Sequence, residues 1–307
     1  MKGRWVIDRL LLVAFAGLLA IPALGPVLME NALHVPPDAR HTAEPKFADA
    51  AADGIGVWLP AEMNAADGSV LRAWLFRPLA PNGRAVIVLH GVADSRTGVL
   101  AQTRMLLQHG YTVLAPDSRG HGESQEARIT YGLLEAEDIH RWADWLYARE
   151  QIKGLYGLGE SMGAADLLQA LPREPRFRAV VAECPFYDFR QVAFSRLAEG
   201  SGVDPRVGKW LFRPMVESGF LYARWRYGLN LADASPAKAL GETTIPVFLI
   251  HGSEDRNIPP EQSEWLAAQR PQSTVFWRVA GAGHIEAFSK EPGEFSRRVL
   301  DWFESHR

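Results

Sequence analysis

Short apolar runs of strand length recur along the chain after residue 55: Gly56 to Leu59, Val70 to Phe76, Ala85 to Leu89, Thr112 to Ala115, Leu155 to Leu158, Ala179 to Ala182, Val247 to Ile250, and Val275 to Val279. Runs of four to eight apolar residues bounded by turn residues read as buried strands, so the pattern predicts eight of them. The first two are joined through Asn64-Ala65-Ala66-Asp67-Gly68, which carries hairpin turn chemistry. The later runs are separated by stretches long enough for a crossover helix. Helical patterns fill those stretches: Gly98 to Gln108, closed by Gly110, and Leu133 to Glu150, which spaces Ile139, Trp142, Trp145 and Leu146 between charges. Two more run from Glu261 to Gln269 and from Pro292 to Glu304, the latter with Phe295, Val299 and Trp302 on one face. An antiparallel start followed by a parallel, doubly wound sheet with helices on both faces is the simplest arrangement.

Three regions break the alternation. Residues 186–240 hold no strand, are too long for a loop, and are rich in aromatics, so they read as an inserted helical cap. The aromatics Phe189, Phe194, Trp210, Phe212, Phe220, Tyr222, Trp225 and Tyr227 form either the cap's own core or an apolar wall for a hydrophobic substrate. Between Phe186 and Gly228 the segment carries Arg190, Arg196, Arg206, Lys209, Arg213, Arg224 and Arg226 against four acids, a basic patch suited to anionic lipid or to ordinary solvated helix faces. Residues 31–54 are rich in Pro, Ala and charge and read as a linker or poorly ordered lead-in.

The third is the N-terminus. Leu10 to Met29 is a run of twenty residues without a charge, preceded by Lys2, Arg4 and Arg9, the layout of a segment that enters a membrane with its N-terminus inside. Residues 1–30 are therefore expected to be a signal or transmembrane segment that anchors residues 55–307 outside the cytoplasm. The small-residue trio Ala23-Leu24-Gly25, followed by Pro26, makes a poor cleavage site; a secreted or periplasmic protein after cleavage is the alternative.

Composition narrows the chemistry. A chain of 307 residues that is 47% hydrophobic buries a full core without staples. A net charge of -3 gives no general attraction for nucleic acid. Cys184 is the only cysteine, so no intramolecular disulfide exists. There is no Cys/His cluster of zinc spacing and no dinucleotide fingerprint, so neither a metal nor another cofactor is expected.

The reactive residues fall at strand ends, where an open α/β sheet collects function. Gly159-Glu160-Ser161-Met162-Gly163 lies between the fifth run and a helix-forming stretch, so that Ser161 would sit on a strained strand-to-helix turn that admits only glycine two residues to either side. His90-Gly91-Val92 follows the third strand, His251-Gly252-Ser253-Glu254-Asp255 the seventh, and Gly281-Ala282-Gly283-His284 the eighth. Asp117-Ser118-Arg119-Gly120-His121 follows the fourth. The chain order serine, acid, histidine at these strand ends resembles the α/β-hydrolase family from Ile55 to the C-terminus.

The resemblance implies an eight-stranded α/β-hydrolase fold and a serine hydrolase in which Ser161, Asp255 and His284 form a triad, Glu254 and Asp188 being rival acids. It implies an oxyanion hole from the backbone N–H groups of Val92 and Met162. His90, Gly91, Gly159 and Gly163 would be structural supports, as would Asp117 and Arg119, tying the loops together by an ion pair. The expected substrate is a small or lipid-like carboxylic ester, with peptide or thioester cleavage as alternatives. The short region before Ile55 argues against the large gating domain of some related peptidases. A non-catalytic relative that binds a ligand at the membrane is the alternative of another class.

Overall fold

The computed structural model of the chain describes residues 22–36 and 44–307, apart from the side chains at 199, 205, 206 and 209. The first twelve residues of the apolar N-terminal run, Leu10 to Ile21, with Lys2, Arg4 and Arg9 before them, and the side chains of Arg206 and Lys209, therefore lie outside the described residues. Among the described residues no helix is long and apolar enough to cross a membrane. The chain divides into two compact units, one of His34–Asp188 with Ala234–Arg307, the other of Met1–Leu33 with Phe189–Asp233.

The larger unit is built on one eight-stranded sheet of order β1-β2-β4-β3-β5-β6-β7-β8. Its elements in chain order are α2 (Pro45–Ala52), β1 (Gly56–Asn64), β2 (Val70–Pro78), β3 (Arg84–Leu89), α3 (Leu100–Gln108), β4 (Thr112–Pro116), α4 (Glu135–Arg149), β5 (Gly154–Glu160), α5 (Met162–Ala170) and β6 (Phe177–Glu183), then α9 (Pro236–Gly241), β7 (Val247–Gly252), α10 (Glu261–Gln269), β8 (Thr274–Val279), α11 (Ala287–Lys290) and α12 (Pro292–Ser305). All eight expected strands form, each longer than its apolar run by one to three residues except β1, which runs five residues further, to Asn64. β1 pairs antiparallel with β2, β2 antiparallel with β4, and every other pair is parallel. Every residue of β4, β5 and β7 is buried, as a strand covered on both faces requires.

One apolar core lies on each side of the sheet. Ile139, Trp142 and Leu146 of α4 join Leu167 and Leu168 of α5 in the first; Leu106 of α3 joins Phe295, Val299 and Phe303 of α12 in the second. α5 can lie close to the sheet because β5 carries glycine where they meet: a Cβ on Gly157 would stand 2.7 Å from Leu167 Cδ1. α2 occupies part of the stretch read as a poorly ordered lead-in. Its alanines Ala48, Ala51 and Ala52 are buried in the second core, a periodicity too weak in side-chain size to stand out in the sequence.

The parallel register lines up the strand ends that carry the reactive residues. Leu89 of β3 pairs with Gly159, Glu160 with Glu183 of β6, Glu183 with Ile250, and Gly252 with Val279. The loops after β3, β5, β7 and β8 therefore leave the sheet along one edge.

The smaller unit joins a helix over residues 22–32 (α1) to α6 (Phe189–Ser201), α7 (Pro205–Leu211), α8 (Arg213–Tyr227) and a 3-10 turn at Leu231–Asp233. Glycines bring α1 and α8 together: a Cβ on Gly25 would stand 2.1 Å from Met215 O, and one on Gly219 2.9 Å from Gly25 O. Ser218 Oγ donates to Pro22 O at 2.6 Å, and the hydroxyls of Tyr222 and Tyr227 donate to Glu30 at 3.0 and 2.7 Å. The structure thus draws the inserted unit more narrowly than residues 186–240 and adds an N-terminal helix to it. The aromatics divide: Phe189, Phe194 and Phe220 are buried, whereas Trp210 and Trp225 are each 80% exposed.

Candidate active site

Ser161 terminates β5 and caps α5 with φ 52° and ψ -114°, a left-handed conformation that costs a residue with a Cβ on the order of 1–3 kcal/mol. Steric crowding dictates its neighbours. A Cβ on Gly159 would meet Gly163 O at 2.5 Å, and one on Gly163 would meet His90 O at 2.5 Å. The Ser161 N–H donates to Glu183 O at 2.8 Å and continues the strand ladder to the turn.

His284 stands over this serine. Its Nε2 lies 2.8 Å from Ser161 Oγ and its Nδ1 lies 2.6 Å from Asp255 Oδ2. A carboxylate only accepts, so the hydrogen sits on Nδ1 and the Nε2 lone pair faces the hydroxyl. The other oxygen of Asp255 accepts the N–H groups of Asn257 and Ile258 at 2.8 and 2.9 Å. Burial by itself would push the Asp255 pKa up, but hydrogen bonds from His251 and His284 and the Ile258 N–H outweigh it and hold the carboxyl well below its ordinary range. The acid at His284 is Asp255, not Glu254 or Asp188.

Two donors remain uncommitted. The backbone N–H groups of Val92 and Met162 find no acceptor among the described residues. Met162 opens α5, where the first N–H groups of a helix point outward and its dipole favours negative charge. The turn that carries Val92 is pressed against the serine, since a Cβ on Gly91 would lie 3.4 Å from Ser161 Cβ and 4.0 Å from its Oγ.

His90 and His121 brace the loops. His90 Nε2 accepts the Ser118 N–H at 3.0 Å and its Nδ1 donates to Gly91 O at 2.7 Å; His121 donates from Nδ1 to Arg119 O at 2.9 Å. Their rings meet edge to face at 5.2 Å. Burial, then the nearby His90 ring, push the His121 pKa down to about 3, and burial lowers His90 as well, so both rings are neutral.

The ion pair expected between Asp117 and Arg119 does not form. Asp117 instead accepts the Arg96 and Glu123 N–H groups at 2.8 Å each and faces the Arg96 guanidinium at 3.6 Å. Arg119 forks onto Asp138 at 2.7 and 2.8 Å and reaches Asp67 at 2.9 Å. Both residues tie loops together through separate partners, because successive side chains beyond a strand end diverge while α4 offers Arg119 a planar bidentate match.

Two supports escaped the sequence reading. His251 Nε2 donates to Ile258 O at 2.8 Å and faces Asp255 Oδ2 at 3.1 Å, while Nδ1 meets Ser263 Oγ at 2.7 Å. Its position four residues before the acid on a strand end was the available signal. Glu160 and Glu183 form a buried carboxyl pair under the turn; burial, then each other's charge for Glu160, raise both pKa values. Cys184, with φ 51°, accepts the Ile285 N–H at 3.5 Å. Its Sγ, an Asp255 oxygen and a His284 nitrogen lie within 4.8 Å of one another, but all three have hydrogen-bond partners within the chain.

An eight-stranded, mostly parallel sheet with a serine on its central strand-to-helix turn and an acid and a histidine on later strand ends defines an α/β hydrolase. The model of the serine aminopeptidase S33 family matches residues 80–284, and the chain belongs to that family. The chain is 26% identical over 224 residues to the uncharacterized protein YqkD of Bacillus subtilis, covering 72% of this chain and 71% of that one. It is 27% identical over 250 residues to the uncharacterized protein YfhR of Escherichia coli, covering 78% of each. Among solved structures, the Pyrococcus furiosus esterase Pf2001 superposes with a TM-score of 0.69 at 22% identity, over 87% of this chain and 98% of that one. A puromycin-hydrolyzing peptidase of Mycobacterium tuberculosis superposes with a TM-score of 0.64 at 19% identity, over 82% of this chain and 39% of that one.

Proposed function

We propose that the protein is a serine hydrolase that cleaves carboxylic esters through an acyl-enzyme. The reading is carried by the unbroken line from Asp255 through His284 to Ser161 Oγ, at 2.6 and 2.8 Å. In this mechanism His284 takes the Ser161 proton as Oγ attacks the ester carbonyl, and Asp255 stabilises the imidazolium that results. The oxyanion accepts the free N–H groups of Val92 and Met162, each donor contributing on the order of a hundredfold in rate. Collapse of the intermediate expels the alcohol, which takes the proton from His284. Water then repeats the sequence on the acyl-enzyme, releasing the acid and freeing Ser161.

Esters are favoured over peptides because the chain matches nearly the full length of the Pyrococcus furiosus esterase, whereas the peptidase neighbour is matched over 39% of its length. The family's description as aminopeptidases keeps amide cleavage as the second reading. The reading includes a membrane anchor formed by the uncharged run Leu10 to Met29 behind Lys2, Arg4 and Arg9, with the catalytic unit outside the cytoplasm.

A fluorophosphonate probe tests the chemistry: the folded protein labels and the Ser161→Ala variant does not. Equal labelling of both, or none of the wild type, would overturn the assignment in favour of a non-catalytic ligand-binding relative. A p-nitrophenyl ester series of increasing chain length, run beside aminoacyl amides and peptides, tests the bond. Turnover of the amides with no ester preference selects the aminopeptidase reading.

A further inference from the structure

The smaller unit carries an unusual share of exposed apolar surface. Eight of the sixteen large apolar side chains exposed among the described residues belong to it, although it is the minor part of the chain. On α1, Gly25 and Met29 are buried, as is Leu33 just beyond its end, while Leu24, Val27 and Leu28 stand outward at 51%, 57% and 41% exposure. A helix apolar on both faces has no stable place in water. On α8, Leu221 and Trp225 are 67% and 80% exposed, one flank away from Ser218, Gly219 and Tyr222 that meet α1.

Length decides where this surface lies. A bilayer's hydrocarbon is about 30 Å thick, which takes about twenty helical residues. The uncharged run Leu10 to Met29 has only those twenty, and its last eight residues, Pro22 to Met29, lie in α1. An anchor made from this run must therefore use α1, and α1 is fastened to α8 by the Gly25–Gly219 contact and by Glu30. The bilayer that takes α1 meets α8 as well.

Charge selects the lipid. Arg213, Arg224 and Arg226 are exposed on α8 around Leu221 and Trp225. Tryptophan beside arginine is the composition of a membrane interface, and each such cation is attracted to an anionic leaflet. We propose that the exposed face of the paired helices α1 and α8 docks into the interface of an anionic phospholipid bilayer, with Trp225 and Leu221 in the headgroup layer. The proposal rests on the membrane-anchored reading and assigns the inserted unit a place in it.

The test uses the full chain in vesicles of four parts phosphatidylcholine to one part phosphatidylglycerol. Cys184 is fully buried, so a single introduced cysteine takes an environment-sensitive fluorophore selectively. Trp225→Cys and Leu221→Cys report the docking face, and Leu79→Cys, at a position 69% exposed in the larger unit, reports bulk solvent. Labels at 225 and 221 are expected to shift to the blue, to be quenched by nitroxide lipids, and to be protected about fivefold or more from iodide relative to the label at 79. Flotation of the unlabelled chain reads the anchor separately. A chain that floats while 225 and 221 remain as open to iodide as 79 overturns the docking and leaves the anchor standing. A chain that does not float overturns both. Protection that appears without lipid and grows with protein concentration assigns the face to a second copy and overturns the proposal.

Discussion

His284 Nδ1 and Asp255 Oδ2 stand 2.6 Å apart, while the second oxygen of the same carboxyl is held by two backbone N–H groups. The carboxylate is thus fixed by the chain before it fixes the ring. Asp255→Asn keeps an oxygen for Asn257 and Ile258 but offers His284 an amide N–H, which favours the wrong tautomer. The expected loss in kcat is on the order of 10⁴-fold, the scale seen when the acid of a Ser-His-Asp triad is neutralised, with KM little changed. The ionised Asp255 is favoured by the fold, so its contribution to stability is present above the carboxyl's unfolded pKa and is lost as pH falls through the depressed folded value. Thermal melts should therefore show Asp255→Asn less stable than wild type at pH 7, by a margin that narrows in acid.

Ser161 couples activity to strain. Its φ of 52° and ψ of -114° suit glycine better than any residue with a Cβ. Ser161→Ala removes the nucleophile and keeps the strained Cβ; Ser161→Gly removes both. Both variants should lose hydrolase activity and probe labelling, yet Ser161→Gly should be the more stable, by about 1 kcal/mol after glycine's greater unfolded-state entropy is counted. Paired urea melts compare them. An equal or lower stability for the glycine variant would show that the turn is not strained.

His251 is a positioning residue rather than a catalytic one, since it touches Asp255 and the Ile258 carbonyl and not the serine. His251→Gln is expected to lower kcat about tenfold with little change in KM. It should also move the acidic limb of the kcat pH profile upward, because Asp255 loses a donor that stabilises its charge. A purely structural role would lower the melting temperature and leave the limb in place.

The eight strands were legible because buried parallel strands are continuous apolar runs, and the order of Ser161, Asp255 and His284 was legible because each follows such a run. Partners were harder to read. Asp117 and Arg119 lie two residues apart and invited pairing with each other, but their side chains leave the loop in different directions, toward Arg96 on one side and Asp138 on the other. α2 was missed because alanine is small enough to pack against the sheet without a marked apolar stripe. The fastening of α1 to α8 was invisible for a related reason: Gly25 and Gly219 meet through backbone, which no pattern of side-chain hydropathy records.

The Glu160 and Glu183 pair beneath the turn makes stability fall with rising pH. Glu183 is fully buried, one of its oxygens accepts the Ala287 N–H at 2.9 Å, and the other has no partner among the described residues. Burial pushes its pKa from the ordinary 4.5 up to about 7, opposed by the Ala287 N–H and helped to a smaller degree by the Asp255 charge. A carboxyl raised in this way binds more protons folded than unfolded, so folding is favoured below its unfolded pKa and stability is lost as pH climbs from about 4.5 to about 7. Glu183→Gln keeps the acceptor for Ala287, carries no charge, and offers an N–H beside Glu160, its partner in the β5–β6 register. The variant should therefore be more stable than wild type at pH 8, on the order of 1–3 kcal/mol at about 1.4 kcal/mol per unit of pKa, and the gap should shrink toward pH 5. Differential scanning calorimetry at the two pH values measures it. A gap of the same size at both would mean that Glu183 is ionised in the folded protein and that burial does not hold its proton.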